Sequence, residues 1–301
     1  PVRLGPRCRV FAVRSGPRVH YPPCLASVRW VEHRGDSGWL RDGPDCIVGL
    51  MDDFQILIDL HKPNPRLGPG SDEHTRRALE LSGLIGSSDL KVADLGCGTG
   101  ASALVLAETL DAHITAVDLF PAFLQELEHR ADRRGVRGRI TPLAVSIDDL
   151  PFEPESLDAI WSEGAIYNLG FETGVAAWRR FLAPGGVLAV SEITWLTSER
   201  PAELQTHWAQ EYPEIDTASA KLAVLEKHGF TPIGYFTLPE SCWLANYYRP
   251  LQARFPALLD EHKHSEAARA VIAAEDLDIS IYKRHKAHYS YGFYVARKVG
   301  T

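Results

Sequence analysis

The stretch that most limits what this chain can fold into is VADLGCGTGA, residues 92–101. Apolar and small residues around one aspartate run straight into three alternating glycines. An extended segment that ends this way needs a backbone able to turn sharply and to let another group come close, and glycine provides both. Leu104, Val105 and Leu110 then fall on one side of a helix over 101–110. Strand, glycine loop and helix together form the opening unit of a wound α/β sheet.

The rest of the chain repeats that alternation. Residues 54–62 and 72–85 read as short helices on either side of KPNPRLGPGS, a Pro/Gly turn cluster, with Ser71 or Asp72 placed to cap the second. HITAVD (113–118) is a second strand, and the helix after it opens at Pro121 and closes at Gly135. RITPLAV (139–145) is a third strand, which Pro142 confines to a sheet edge because proline cannot donate to a ladder. Further strands read over 157–162, 184–192, 230–238 and 289–298, with helices over 172–182, 217–228 and most of 250–287. The expected fold is therefore α/β: a doubly wound, seven-stranded, mostly parallel sheet with helices on both faces.

The first fifty residues do not share this pattern. They hold eight arginines, no lysine and four acidic residues, with six prolines by residue 44, too many for a long helix. Met51, the only methionine, stands directly before the point where helical periodicity begins. Residues 1–50 are read as a disordered extension or as upstream sequence translated from a mis-assigned start. Residues 51–301 are read as a single domain with a helical insertion at about 241–287. That body carries 24 basic and 35 acidic residues, and a net charge of −11 opposes a phosphate backbone, so nucleic acid is not an expected partner. No run approaches the roughly 18 apolar residues of a bilayer span, and no membrane association is expected. Five cysteines without a CxxC suit a reducing, cytoplasmic setting. The histidines at 262, 264, 285 and 288 have no further ligand spacing, and no metal is expected. A homodimer is admitted.

What the glycine loop holds is the central question. Gly96, Gly98 and Ala101 satisfy the dinucleotide pattern, and Asp118 lies about 20 residues on, where a ribose-binding acid belongs. Up to this point a nicotinamide and another adenosyl cofactor are served equally. Three features separate them. Asp94, two places before Gly96, would repel a pyrophosphate yet suit an ammonium group. SIDDLPF offers Asp148 or Asp149 to an adenine amino group. A Pro-Gly-Gly turn at 184–186 is not part of the dinucleotide pattern. The loop is therefore expected to hold a cationic, phosphate-free ligand, and S-adenosyl-L-methionine fits.

With these motifs the chain resembles the class I S-adenosylmethionine-dependent methyltransferases of the ubiquinone/menaquinone-methyltransferase-like branch. It is similar to uncharacterised bacterial members sharing GPGSDE, WSEGAIYNLG and SEITWLTSERPAE. The resemblance runs from about residue 51 to residue 298 and speaks to the cofactor, not to the acceptor. It implies strand order 3-2-1-4-5-7-6 with the last strand antiparallel. It also implies that Asp94, Gly96, Gly98 and Gly100 surround the methionine half, that Asp118 binds the ribose hydroxyls with Leu119 under the adenine, and that Ile147 and Asp148 meet the adenine edge. Ser162 and Glu163 then face the methyl group.

The expected reaction is in-line methyl transfer to a small-molecule acceptor, with positioning supplying most of the acceleration. Glu163, then Tyr167, are the candidate proton acceptors. The alternative for Glu163 is an ion pair with an arginine, and for Tyr167 packing in the core. The aromatic run CWLANYYR (242–249) is either a substrate lid, able to hold a cation over its rings, or packing for the insert. Two other function classes stay open: a nicotinamide-dependent oxidoreductase, and a non-catalytic S-adenosylmethionine-binding partner protein.

Overall fold

The computed structural model describes residues 54–300. The expectation for residues 1–50 lies outside the described residues. Helix α1 covers 54–61 and α2 covers Asp72–Ser82. Of the two candidate caps, Ser71 serves: its Oγ accepts the His74 backbone N–H at 3.2 Å.

Strand β1 (Leu90–Leu95) is buried at every position but one and pairs in parallel with β2 (Ala112–Asp118) and β4 (Leu157–Glu163). A strand flanked on both edges and covered on both faces must be apolar almost throughout. Alternate residues serve opposite faces. Val92 joins the hydrophobic layer containing Leu60, Leu79 and Leu104, and Ala93 joins the layer containing Phe171, Trp178 and Leu225. β3 (Ile140–Ala144) forms the far edge beside β2, where Pro142 was expected. Beyond β4 come β5 (Leu182–Trp195), the antiparallel β8 (Tyr289–Lys298) and β7 (Phe230–Thr237).

The sheet order is thus β3-β2-β1-β4-β5-β8-β7, as the resemblance implied, with one strand more than expected. The addition is β6 (Asp216–Thr217), which pairs with Thr194 and Trp195. Two residues are too few to show an alternation, so their strand character comes entirely from the neighbour. β5 also runs three residues further than read, to Trp195, because β8 stays paired with it to its end.

The helices are α3 (Ala101–Thr109), α4 (Pro121–Arg133), α5 (Phe171–Trp178), α6 (Ala202–Glu211) and α7 (Ala218–Lys227), followed by a helical insert. In the insert α8 (Glu240–Trp243) passes through a π turn (Leu244–Tyr248) into α9 (Arg249–Glu261), and α10 (Glu266–His285) returns to β8. Helix α6 has no counterpart in the sequence reading. It buries only Leu204 and Trp208, one i,i+4 pair, which leaves too narrow an apolar stripe to be recognised. Among the described residues no helix is long and apolar enough to cross a membrane.

Candidate functional site

The C-terminal ends of β1, β2 and β4 open onto a cleft of about 230 Å³. In open α/β sheets this crevice is the usual ligand site. The glycine loop forms its floor. Gly96 has φ +72°, and a Cβ there would stand 2.3 Å from the Ala165 Cβ, so neither the conformation nor the space admits another residue. Gly100 has φ +88°, and its Cβ would meet Leu127 at 2.0 Å, which lets α3 begin close against α4.

Asp118 ends β2 and controls two turns at once. Its Oδ2 accepts the Gly98 N–H and its Oδ1 the Phe120 N–H, both at 2.9 Å. Burial pushes its carboxyl upward, opposed by those backbone donors. Phe120 and Phe123, 5.5 Å apart in an edge contact, form an apolar wall with the exposed Leu119. Ile147 stands opposite, its carbonyl accepting from Trp178 Nε1 at 3.0 Å.

The chain from Lys62 to Gly70 closes the cleft as a strap. Arg130 of α4 fastens it by donating to the carbonyls of Lys62 (3.1 Å), Asn64 (2.9 Å) and Pro65 (3.1 Å), and to Thr99 Oγ1 (2.8 Å) in the glycine loop. Asn246 of the insert holds the other end through the Gly70 carbonyl at 2.8 Å. Arg66 reaches inward to Glu163 at 3.0 Å and Asp72 at 3.1 Å. The Pro/Gly cluster read only as a turn therefore supplies Arg66, Leu67, Gly68 and Pro69 to the cleft. Its composition signalled a loop, but not where the loop would lie.

Of the residues named from sequence, Gly96, Gly98, Asp118, Leu119, Ile147, Glu163 and Tyr167 line the cleft together. Asp94, Gly100, Asp148 and Ser162 are not among its lining. Asp94 lies near the end of β1. It is fully buried beneath the loop, where Oδ2 accepts from Ser102 Oγ at 2.7 Å while Oδ1 has no hydrogen-bond partner, and burial pushes its carboxyl up to about 7. The strand turns that side chain toward α3. Ser162, also fully buried, donates to the Leu95 carbonyl at 2.8 Å and ties β4 to β1. Glu163 has both oxygens engaged: Oε1 accepts from Thr75 Oγ1 (2.7 Å) and Trp161 Nε1 (3.0 Å), and Oε2 from Arg66. Tyr167 is buried with its ring 6.1 Å from that of Tyr212. Phe54, Leu57, Ile58 and His61 of α1 also reach the cleft, which only the tertiary fold could tell.

A smaller chamber of about 60 Å³ adjoins the cleft and shares Leu67, Gly68, Pro69, Gly164 and Tyr167 with it. Trp243, Tyr247 and Tyr248, from the aromatic run 242–249, wall this chamber. His262, His264 and His285 pair with Asp59, Asp260 and Glu203 respectively.

With this geometry in view, the chain is similar in sequence and in fold to known methyltransferases. Residues 92–186 match a family described as "Methyltransferase domain". The chain is 36% identical over 129 residues to a demethylmenaquinone methyltransferase of Tropheryma whipplei, covering 41% of this chain and 49% of the relative. It is 26% identical over 200 residues to the sterol 24-C-methyltransferase erg-4 of Neurospora crassa, covering 62% of this chain and 52% of the relative. The chain thus spans about half the length of these curated relatives. A SAM-dependent methyltransferase from Thiobacillus denitrificans, solved with S-adenosyl-L-homocysteine, superposes with a TM-score of 0.69 at 19% identity, over 81% of this chain and 96% of that one. Residues 92–186 thus match a methyltransferase domain, and the fold is that of these solved methyltransferases.

Proposed function

We propose that this protein transfers a methyl group from S-adenosyl-L-methionine to a small-molecule acceptor. The observation that carries the reading is the joint placement of the glycine loop and Asp118 at the floor of the cleft, within the residues that match the methyltransferase family. The residues present suit an adenosyl ligand. Asp118 is a carboxylate with lone pairs beyond its two backbone donors, matched to ribose hydroxyls. Leu119, Phe120, Phe123 and Ile147 offer an apolar slot of the kind a purine fills. Gly96 and Gly98 let the methionine chain approach the backbone.

When bound, the cofactor supplies a methyl group already activated by its positive sulfur. The protein then has to bring an acceptor into line and keep water out. The strap from Lys62 to Gly70 covers the cleft, and Arg130 holds it shut against the glycine loop. We read Glu163 as a positioning residue rather than the proton acceptor, since three donors already occupy its carboxylate. Tyr167, on the wall common to cleft and chamber, is placed to orient the acceptor. A homodimer and a cytoplasmic location remain part of this proposal.

The test is calorimetric titration with S-adenosyl-L-homocysteine and with NADH, followed by incubation with methyl-labelled cofactor and a metabolite extract. Binding of the first ligand alone, with label appearing in a small molecule, is the expected result. Binding of NADH alone would mean an oxidoreductase, and cofactor binding with no transfer a non-catalytic partner protein.

A further inference from the structure

The chamber beside the cleft has a composition that a neutral substrate does not require. Its walls are the rings of Trp208, Trp243, Tyr248, Tyr289 and Tyr291, drawn from α6, the insert and β8. Trp243 and Tyr291 lie 5.0 Å apart centroid to centroid, and Trp208 and Tyr289 5.2 Å. Set into this aromatic box are two acids of α10, Glu275 and Asp278.

Glu275 is fully buried, and among the described residues neither of its carboxylate oxygens has a hydrogen-bond partner. Glu275 Oε1 makes an ion-pair contact with His61 Nε2 at 3.4 Å, without the alignment of a hydrogen bond, when that imidazole carries a proton. Asp278 faces His207 Nε2 at 3.9 Å. Burial holds that imidazole down to about 4, so it offers no charge at neutral pH. Burial, then Glu275, then Glu211 push the Asp278 carboxyl up to about 8, so it keeps its proton at neutral pH until a cation arrives to displace it. Trp208 Nε1 is also buried with no acceptor.

Burying carboxylates this way costs several kcal/mol unless a cation completes the set. Aromatic faces add to that demand, because their quadrupole attracts cations and more strongly so when water is excluded. Among the described residues no lysine or arginine lines the chamber. A volume of about 60 Å³ has room for an amine headgroup.

We propose that this chamber is the acceptor site and that it selects small organic amines, binding them as ammonium between Glu275, Asp278 and the aromatic rings. Glu275 takes the ammonium proton, the freed nitrogen lone pair forms the new N–CH3 bond, and the S–CH3 bond pair stays on the departing sulfur. The inference rests on the methyltransferase reading of the adjoining cleft. The Trp208 indole N–H provides a place for a hydroxyl or ether oxygen of the same molecule, which makes amino alcohols the best-matched members of the class.

The test compares two probes of nearly one shape and different charge, N-methylethanolamine and 2-methoxyethanol. Each is titrated into the full-length protein loaded with S-adenosyl-L-homocysteine. A preference for the amine on the order of tenfold or more is expected, the size of a desolvated cation–π and charge contact. Glu275→Gln should erase the preference while leaving S-adenosyl-L-homocysteine affinity within about twofold, and Asp278→Asn provides the same readout if the first variant folds poorly. Equal response to the two probes, no response to either, or a preference that survives both substitutions overturns the inference. The cofactor titration separates the two levels: failure of S-adenosyl-L-homocysteine to bind sinks the methyltransferase reading, whereas its binding without charge preference sinks only the amine.

Discussion

Arg66 Nη1 donates to Glu163 Oε2 at 3.0 Å, a bond between residues 97 positions apart. It links the strap over the cleft to the end of β4, and both side chains are nearly fully buried. The bond makes Glu163 part of the lid's anchorage.

Arg66→Ala should therefore lower stability by about 3–5 kcal/mol, the cost of leaving one member of a buried pair uncompensated. Glu163→Gln keeps the shape and should weaken S-adenosyl-L-homocysteine binding along with turnover. Denaturant unfolding and calorimetry check both. If Glu163→Gln abolished turnover with cofactor affinity intact, the carboxylate would be the proton acceptor after all.

Asp118→Ala removes an acceptor of ligand hydroxyls and frees the Gly98 and Phe120 amides. Binding of S-adenosyl-L-methionine should weaken by about 1.5–3 kcal/mol, the loss expected for charge-assisted hydrogen bonds. Unchanged affinity in a titration would count against the assigned site.

Gly96→Ala places a methyl group 2.3 Å from the Ala165 Cβ on a left-handed backbone. The loop must shift, and a loss of about 1–3 kcal/mol in stability with a larger proportional loss of cofactor affinity is expected. The double substitution Gly96→Ala with Ala165→Gly relieves the clash but not the backbone conformation, so it should recover part of the loss. Melting curves with and without S-adenosyl-L-homocysteine would show this.

Asp94 gives a pH dependence with a definite sign. Burial raises its folded-state pKa to about 7, above the value near 3.9 of an unfolded chain. The folded protein holds that proton more tightly, so the associated stability is full below about pH 4 and is lost as pH rises through about 7. Asp94→Asn carries no such proton. Its stability relative to the natural protein should rise between about pH 5 and pH 8, by about 2.5 kcal/mol. Urea midpoints at the two pH values measure it, and parallel curves would refute it.

Lys221 and Glu192 form a buried ion pair at 3.4 Å beneath the rings of Phe171 and Tyr212. Lys221→Met should cost about 3–5 kcal/mol by stranding the Glu192 charge. Adding Glu192→Gln should restore most of it, which a double-mutant cycle would resolve.

The sequence by itself determined the winding. Apolar runs such as 92–95, the glycines at 96, 98 and 100, and the edge-bound Pro142 are local signals, each set by what one stretch of backbone can do. The fold class, the methyltransferase likeness and the position of Asp118 at a strand end follow from such signals. The tertiary structure decided which groups meet. It turned Asp94 under the loop, brought Arg66 to Glu163, laid 62–70 across the cleft and enclosed Glu275 and Asp278 among rings from three distant segments. Periodicity records which face of an element is buried, but the partner on the other side of that face is chosen by packing between elements far apart in the chain, which no local pattern encodes.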